Sequence, residues 1–306
     1  MRLIPRRGPK REPLIRPEDI LLSKRITWRI DDPFTIFECD RLFTEDVYRR
    51  LIAEFPAERL RREFSSGKLR VRIDEASNPR EFGDLLREAP TWAACHRAFR
   101  SRVFVRDFQR HFRGPLDRRA RPKWRGVAHV ARMLGLPLTS VKFDFVMSRR
   151  GYHLSPHTDA RNKLVAMMLY LPSAGRDPAH QAMGTLFWSP RPDSDQGTHV
   201  EKGSMTSHSL RRVLSEGESG DVAVENFLSR ASLAASTAYR ENSLAGFVKA
   251  RNSWHSVDLR SIPDGAERCT VLINVNSVGV PELLAGIVRR SSFLSRLMRS
   301  APAEVY

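Results

Sequence analysis

The residues best suited to chemistry lie in two segments that both carry histidine. His157 and Asp159 are separated by one residue, and His255 lies in a later Trp-His-Ser segment. In an extended chain residues i and i+2 point to the same side, so His157 and Asp159 can bind one metal ion from one face. With His255 as a third ligand, two imidazoles and one carboxylate leave coordination positions open, which is the ligand set of non-haem Fe(II).

A His-x-Asp pair alone is weak evidence, because the chain has nine histidines and a single histidine is more often a hydrogen-bonded structural residue. A later segment strengthens the interpretation. From Arg268 onward, polar and apolar residues alternate, as in a strand with two different faces. A buried arginine requires a partner, and a carboxylate-bearing co-substrate is a natural one for Arg268. The alternative is a sheet face open to water. The polar face comprises Arg268, Thr270, Asn274 and Asn276, and the apolar face comprises Cys269, Val271, Ile273 and Val275.

Further motifs follow one another in order along the chain. They are Gly151-Tyr152 before Pro156-His157, Lys163 leading into Met168-Leu169-Tyr170-Leu171-Pro172, Gly184-Thr185-Leu186-Phe187, Asn242-Ser243-Leu244 with Phe247, Trp254-His255-Ser256-Val257, and Arg268 with Thr270. With these motifs, segment 141–275 resembles the Fe(II)- and 2-oxoglutarate-dependent dioxygenase superfamily, in its prolyl-4-hydroxylase-like branch.

The resemblance implies roles for seven residues. His157, Asp159 and His255 would be both the iron ligands and the catalytic centre. Arg268, helped by Thr270, would pair with the distal carboxylate of 2-oxoglutarate. Tyr170 stands where the family often places a hydroxyl donor to that carboxylate, and Tyr152 is a candidate for lining the pocket. The implied cofactors are Fe(II), 2-oxoglutarate and O₂, with ascorbate as a candidate reductant.

The implied activity is hydroxylation of a substrate C–H bond with release of succinate and CO₂. The substrate class stays open between a small molecule, a carrier-bound metabolite and a protein side chain. Two other classes stay open as well: a nucleic-acid-acting oxygenase of the same superfamily, and a jelly-roll binding module without catalysis. No recognisable nucleic-acid-binding motif is present, which disfavours the first, and the intact ligand set disfavours the second.

Three features depart from or refine the family pattern. The gap between Asp159 and His255 is longer than usual. The co-substrate partner is an arginine rather than the lysine of collagen-type enzymes. Because Asp159 is present, the site is not of the halogenase type, which lacks that carboxylate.

The periodicity of the chain predicts helices first and short strands afterwards. Helices are expected over 44–55 and over 80–112, the second split near Pro90. Strands are expected over 139–148, 164–171, 184–188, 245–250, 254–259 and 268–275. This order favours an α+β fold. The resemblance specifies a double-stranded β-helix (jelly-roll) core with N-terminal supporting helices and a C-terminal amphipathic helix.

The expected organisation has three parts. Residues 1–30 form an extended basic arm, 31–280 form a single oxygenase domain, and 281–306 form the C-terminal helix. Within the domain, 31–138 give helical support and 139–280 give the jelly-roll. The polar stretch 190–237 is expected to interrupt the jelly-roll as an insertion that serves as a lid over the site.

Composition and charge limit the remaining possibilities. The 306 residues are 41% hydrophobic, which excludes a disordered or collagen-like chain, and no apolar run is long enough to span a membrane. Three widely spaced cysteines favour a reducing, cytoplasmic location. The net charge of +17 would attract acidic partners, and twelve Lys/Arg against two Asp lie between Arg97 and Arg132. We therefore expect a small-molecule or protein substrate, and the positive net charge favours an acidic one. The sequence does not indicate an oligomeric state.

Overall fold

Two antiparallel sheets form the centre of the protein. The structure, a computed structural model, describes residues 14–117, 138–160, 162–172, 182–190, 225 and 227–278. Within this part the strands are β1 (Trp28–Ile30), β2 (Ile36–Cys39), β3 (Arg70–Asp74), β4 (Thr139–Arg149), β5 (His153–His157), β6 (Lys163–Tyr170), β7 (Leu186–Pro190), β8 (Ala231–Ser236), β9 (Leu244–Val248), β10 (Trp254–Asp258) and β11 (Glu267–Ser277).

The chain passes back and forth between the sheets. The larger sheet has the order β1-β2-β9-β6-β11-β4-β3, and the smaller has the order β5-β10-β7-β8. From β4 to β11, every connection except that between β7 and β8 leads from one sheet to the other. As a result β5 and β10, which are far apart in sequence, lie side by side.

Helices cover one face of the larger sheet. They are α1 (Leu22–Arg25), α2 (Glu45–Ala53), α3 (Ala57–Glu63), α4 (Pro79–Glu88), α5 (Pro90–Phe99), α6 (Arg102–His111) and α7 (Arg113–Asp117), with 3-10 turns at Pro17–Ile20 and Phe64–Ser66. None of the helices in the described part of the chain is long and apolar enough to cross a membrane.

Alternation along the strands of the larger sheet creates two cores. Cys269, Val271, Ile273 and Val275 of β11 belong to the core beneath the helices. The other face of the sheet, which includes Leu272, turns toward the smaller sheet and a second core. Polar side chains on β11 with the parity of Leu272 therefore lie between the two sheets.

The α+β prediction is confirmed, and the helices and strands of the central region lie close to their expected positions. The helical region 80–112 is divided into three helices. Pro90 starts the second of them, and Ser101, whose hydroxyl accepts a hydrogen bond from the Phe104 amide at 3.1 Å, caps the third.

The basic arm expected over 1–30 is wrong for the residues that the structure describes there. Ile20 and Leu22 are fully buried in the helix-side core, and β1 pairs with β2. The clustered prolines and arginines concealed the few apolar residues that anchor this segment. Residues 1–13 lie outside the described residues.

The insertion expected over 190–237 is also wrong at its C-terminal end, because residues 231–236 form β8 and pair with β7. The strand lies at the edge of the smaller sheet and is mostly exposed, so it lacks an apolar face that would have revealed it. Likewise β3 lies within the segment expected to be helical support. Residues 191–224 and the helix expected over 281–306 lie outside the described residues.

Phe145 connects the larger sheet to the helices, and its ring contacts Phe55, Phe82 and Trp92 with centroids 5.0 to 6.2 Å apart. Since it is fully buried, Phe145→Ala should lower the free energy of unfolding by about 3–5 kcal/mol through lost burial and a cavity. Urea unfolding measures this change. Val103→Ala, at an exposed position, should change it by less than about 0.5 kcal/mol. A loss below about 1 kcal/mol in Phe145→Ala would contradict the packing described.

Candidate metal centre

Strand pairing places the two histidines next to each other. His255 of β10 and His157 of β5 are directly paired, and their ring centroids are 4.2 Å apart. The His255 ring also lies 4.5 Å from the ring of Phe247 on the larger sheet. The imidazoles therefore project into the space between the two sheets.

Backbone carbonyls fix which ring nitrogen carries the proton. Nδ1 of His157 is 3.0 Å from the carbonyl oxygen of Ser155, and Nδ1 of His255 is 3.1 Å from that of Ser253. A carbonyl oxygen only accepts hydrogen bonds, so each Nδ1 must donate. Each Nε2 then offers a lone pair, which is the arrangement in which a neutral imidazole binds a metal.

Asp159 completes the group from just beyond the end of β5. Its Oδ1 accepts a hydrogen bond from Nζ of Lys163 at 2.8 Å. Its Oδ2 is buried, has no hydrogen-bond partner in the described part of the chain and lies 3.9 Å from Nε2 of His255. A buried carboxylate oxygen without a partner is costly, so a ligand at this position would stabilise the site.

The surroundings set the protonation states of the three groups. Burial lowers the pKa of His157, and burial together with repulsion from His157 lowers the pKa of His255 to about 3. Burial alone would raise the pKa of Asp159, but attraction to the Lys163 ammonium and to His255 lowers it to about 2. At neutral pH the group therefore consists of two neutral imidazoles and one carboxylate.

These residues fit a divalent metal ion. One ligand atom from each of His157, Asp159 and His255 lies within 4.8 Å of the others. The structure thus brings together the three residues that the sequence singled out. Two imidazole nitrogens and one carboxylate oxygen on one side of an ion leave positions open for other ligands, as in non-haem iron sites.

A second polar group lies on the inward face of the larger sheet. Arg268 is only 4% exposed, and its Nε donates a hydrogen bond to the Met183 carbonyl at 2.6 Å. The alternative of an arginine on a water-exposed sheet face is therefore wrong. Thr270, two residues along, is fully buried, and none of the residues that the structure describes forms a hydrogen bond with its Oγ1.

Sequence reasoning missed Ser148. It pairs directly with Arg268 across β4 and β11, it is fully buried, and its Oγ has no hydrogen-bond partner among the described residues. The signal was available, because Ser148 has the opposite parity to Phe145 and Met147 in an alternating strand. Arg268, Thr270 and Ser148 thus form a buried polar cluster, the Arg268 cluster, with two unpaired hydroxyls in the described part of the chain.

Tyr170 and Tyr152 differ in their position relative to the Arg268 cluster. Tyr170 is fully buried, and its ring centroid lies 5.6 Å from the guanidinium carbon of Arg268. Its hydroxyl already has the hydroxyls of Thr237 at 2.9 Å and Thr185 at 3.3 Å as partners. Tyr152 packs against the core between the sheets. Its role in lining a pocket stays a prediction.

Comparison with known proteins gives matches only among solved structures. No family model and no curated protein matches the chain. One match is the epimerase SnoN with Fe3+, α-ketoglutarate and nogalamycin RO (12% identity, TM-score 0.40, covering 79% of this chain and 78% of that one). A second is HygX from Streptomyces hygroscopicus with nickel and 2-oxoglutarate (9%, 0.42, 79% and 82%). A third is a Pseudomonas putida prolyl-4-hydroxylase (14%, 0.35, 86% and 99%).

Two of these three structures contain 2-oxoglutarate and a metal ion. The similarities are distant, so the functional assignment depends on the site residues of this chain.

If these three residues are the metal ligands, removing one of the histidines should abolish metal binding. His157→Ala or His255→Ala should abolish binding of Mn(II) in equilibrium dialysis, because two remaining ligands do not hold a labile divalent ion. His153→Ala is the matched control, since His153 is exposed on the same strand and pairs with Asp258. Undiminished Mn(II) binding by either ligand variant would refute the assignment.

The lowered pKa values predict that metal affinity depends less on pH near neutrality than it would with two ordinary histidines. A histidine loses metal when it gains a proton, and burial lowers the pKa of His157 and lowers that of His255 to about 3. Between pH 8 and pH 6 the Mn(II) dissociation constant should therefore rise by less than about fourfold, whereas two histidines with ordinary pKa values near 6.5 would weaken binding by about 15-fold. Titrations at the two pH values distinguish these cases, and a tenfold loss would contradict the protonation states given.

Proposed function

We propose that this protein is an Fe(II)- and 2-oxoglutarate-dependent oxygenase that hydroxylates a C–H bond and releases succinate and CO₂. The observation that carries the proposal is the convergence of His157, Asp159 and His255, with one unpartnered carboxylate oxygen facing two unprotonated Nε2 atoms. In this proposal β4 to β11 are the eight strands of a jelly-roll, and the iron is held between its two sheets.

The Arg268 cluster supports 2-oxoglutarate as the co-substrate. A buried guanidinium is stabilised by a carboxylate, which can accept two parallel hydrogen bonds from it. The unpaired hydroxyls of Thr270 and Ser148 supply further donors to the same carboxylate. Tyr170 packs beside the guanidinium and holds it in place. Its own hydroxyl is occupied by the hydroxyls of Thr185 and Thr237.

The protein's own residues would bind, orient and shield the reactants. Iron and 2-oxoglutarate, when bound, supply the oxidising chemistry that uses O₂. Asp159 and the two histidines hold the ion through three positions and leave the others open. Phe247 packs against the buried His255 ring and would help to exclude water from it. No side-chain general base is needed for this chemistry.

The substrate is proposed to be a small molecule, a carrier-bound metabolite or a protein side chain. The net charge of +17 favours an acidic one. A binding module without catalysis is disfavoured because all three ligands and Arg268 are in place. We also propose a cytoplasmic location, since Cys39, Cys95 and Cys269 are all free and buried.

The direct experiment is to supply the purified protein with Fe(II), 2-oxoglutarate and O₂ and to measure succinate against a panel of substrate classes. We expect slow succinate formation without substrate and faster formation with the correct class. Absence of succinate under every condition, with iron demonstrably bound, would refute the proposal.

Arg268 offers a second test. Arg268→Ala leaves a bound carboxylate without its partner, which should cost roughly 2–5 kcal/mol and raise the KM for 2-oxoglutarate by at least about thirtyfold. Mn(II) affinity should stay near that of the wild type, because Arg268 contacts none of the three ligands. An unchanged KM would mean that the co-substrate carboxylate binds elsewhere.

A further inference from the structure

We propose that Lys163 is a positioning residue that holds Asp159 so that only Oδ2 binds the metal; this inference rests on the proposed function. Lys163 is the first residue of β6 and follows Asp159 by four positions. Its Nζ lies 2.8 Å from Oδ1, and the two side chains are 20% and 12% exposed. The contact is therefore largely shielded from water, where an ion pair is stronger and less screened by salt than at the surface.

The contact with Lys163 makes the two carboxylate oxygens of Asp159 different. Oδ1 is occupied by Lys163, whereas Oδ2 is buried without a partner, 3.9 Å from Nε2 of His255. Without Lys163 the carboxylate could rotate about its Cβ–Cγ bond or offer both oxygens at once. With Lys163, one oxygen would be presented to the ion in a fixed orientation, and the other would be kept from binding it.

The backbone of Lys163 is itself held in place. It pairs with Asn276 at the end of β11, and its amide donates a hydrogen bond to the Ala160 carbonyl at 3.1 Å. The lysine thus links the loop that carries Asp159 to the larger sheet, while His157 and His255 belong to the smaller sheet. Asp159 is thereby positioned relative to ligands from a different layer of the fold.

Positioning of Asp159 and repulsion between the ammonium and the ion predict opposite effects of removing the lysine. The ammonium repels a divalent cation nearby, so this repulsion by itself predicts tighter metal binding when the lysine is lost. A group that orients a ligand through a hydrogen bond typically strengthens metal binding, and its loss weakens binding by about 10- to 100-fold. The direction of the change therefore identifies the role.

The experiment compares full-length, metal-free preparations of the wild type, Lys163→Met, Lys163→Gln and Lys163→Arg by Mn(II) equilibrium dialysis. Met removes the donor at nearly constant length, and Gln places a shorter polar group at the same position. We expect both variants to bind Mn(II) about 10- to 100-fold more weakly. Lys163→Arg keeps a charged donor and should remain within about threefold of the wild type.

Two controls separate positioning from a loss of folding. Lys142→Met removes an exposed lysine of β4 and should leave Mn(II) affinity unchanged. Loss of the partner of a largely buried carboxylate lowers stability, so thermal unfolding of each metal-free variant is measured to show that it is still folded at the temperature of the dialysis. If Lys163→Met does not fold, Lys163→Gln provides the same comparison at this partly exposed position.

Equal or tighter Mn(II) binding by Lys163→Met or Lys163→Gln would overturn the positioning role. So would an Arg variant that is as weak as the Met variant. These outcomes leave the proposed function standing, because the wild type still binds the metal. A wild type that binds no divalent ion would refute the proposed function itself.

Discussion

The antiparallel pairing of β5 with β10 is the interaction on which the site depends. It brings together two histidines separated by almost a hundred residues and sets their rings 4.2 Å apart. A shift of either strand by one residue would turn its histidine to the opposite face of the smaller sheet. The alternation of the chain between the two sheets secures this register, because β4, β6, β9 and β11 form the opposing layer against which β5 and β10 pack.

Burial is the second constraint, and it acts differently on the proposed metal ligands and on the Arg268 cluster. It keeps both imidazoles neutral, whereas Asp159 stays ionised because Lys163 compensates its charge. Arg268 is buried with one backbone acceptor and beside unpaired hydroxyls. The space between the sheets thus contains two unsatisfied polar groups of opposite character, and an ion with an acidic co-substrate would satisfy both.

Local pattern was enough to predict much of this arrangement. The alternation of β11 placed Arg268 and Thr270 on one face, and the His-x-Asp spacing paired His157 with Asp159. What could not be predicted depends on contacts between distant segments. The strand β8 is an exposed edge strand without an apolar stripe, and Ile20 and Leu22 are anchored by helices that the sequence places much later. Likewise the partnership of Ser148 with Arg268 becomes visible only from the strand register.

In the proposed function, the metal ligands and the Arg268 cluster form one site that binds a metal and 2-oxoglutarate together. This can be tested by measuring the dissociation constant of 2-oxoglutarate by calorimetry, with and without saturating Mn(II) under anaerobic conditions. We expect Mn(II) to tighten 2-oxoglutarate binding by at least about tenfold, and this coupling to disappear in His255→Ala. Equal affinity with and without Mn(II), or no binding in either case, would show that the two groups do not form one site.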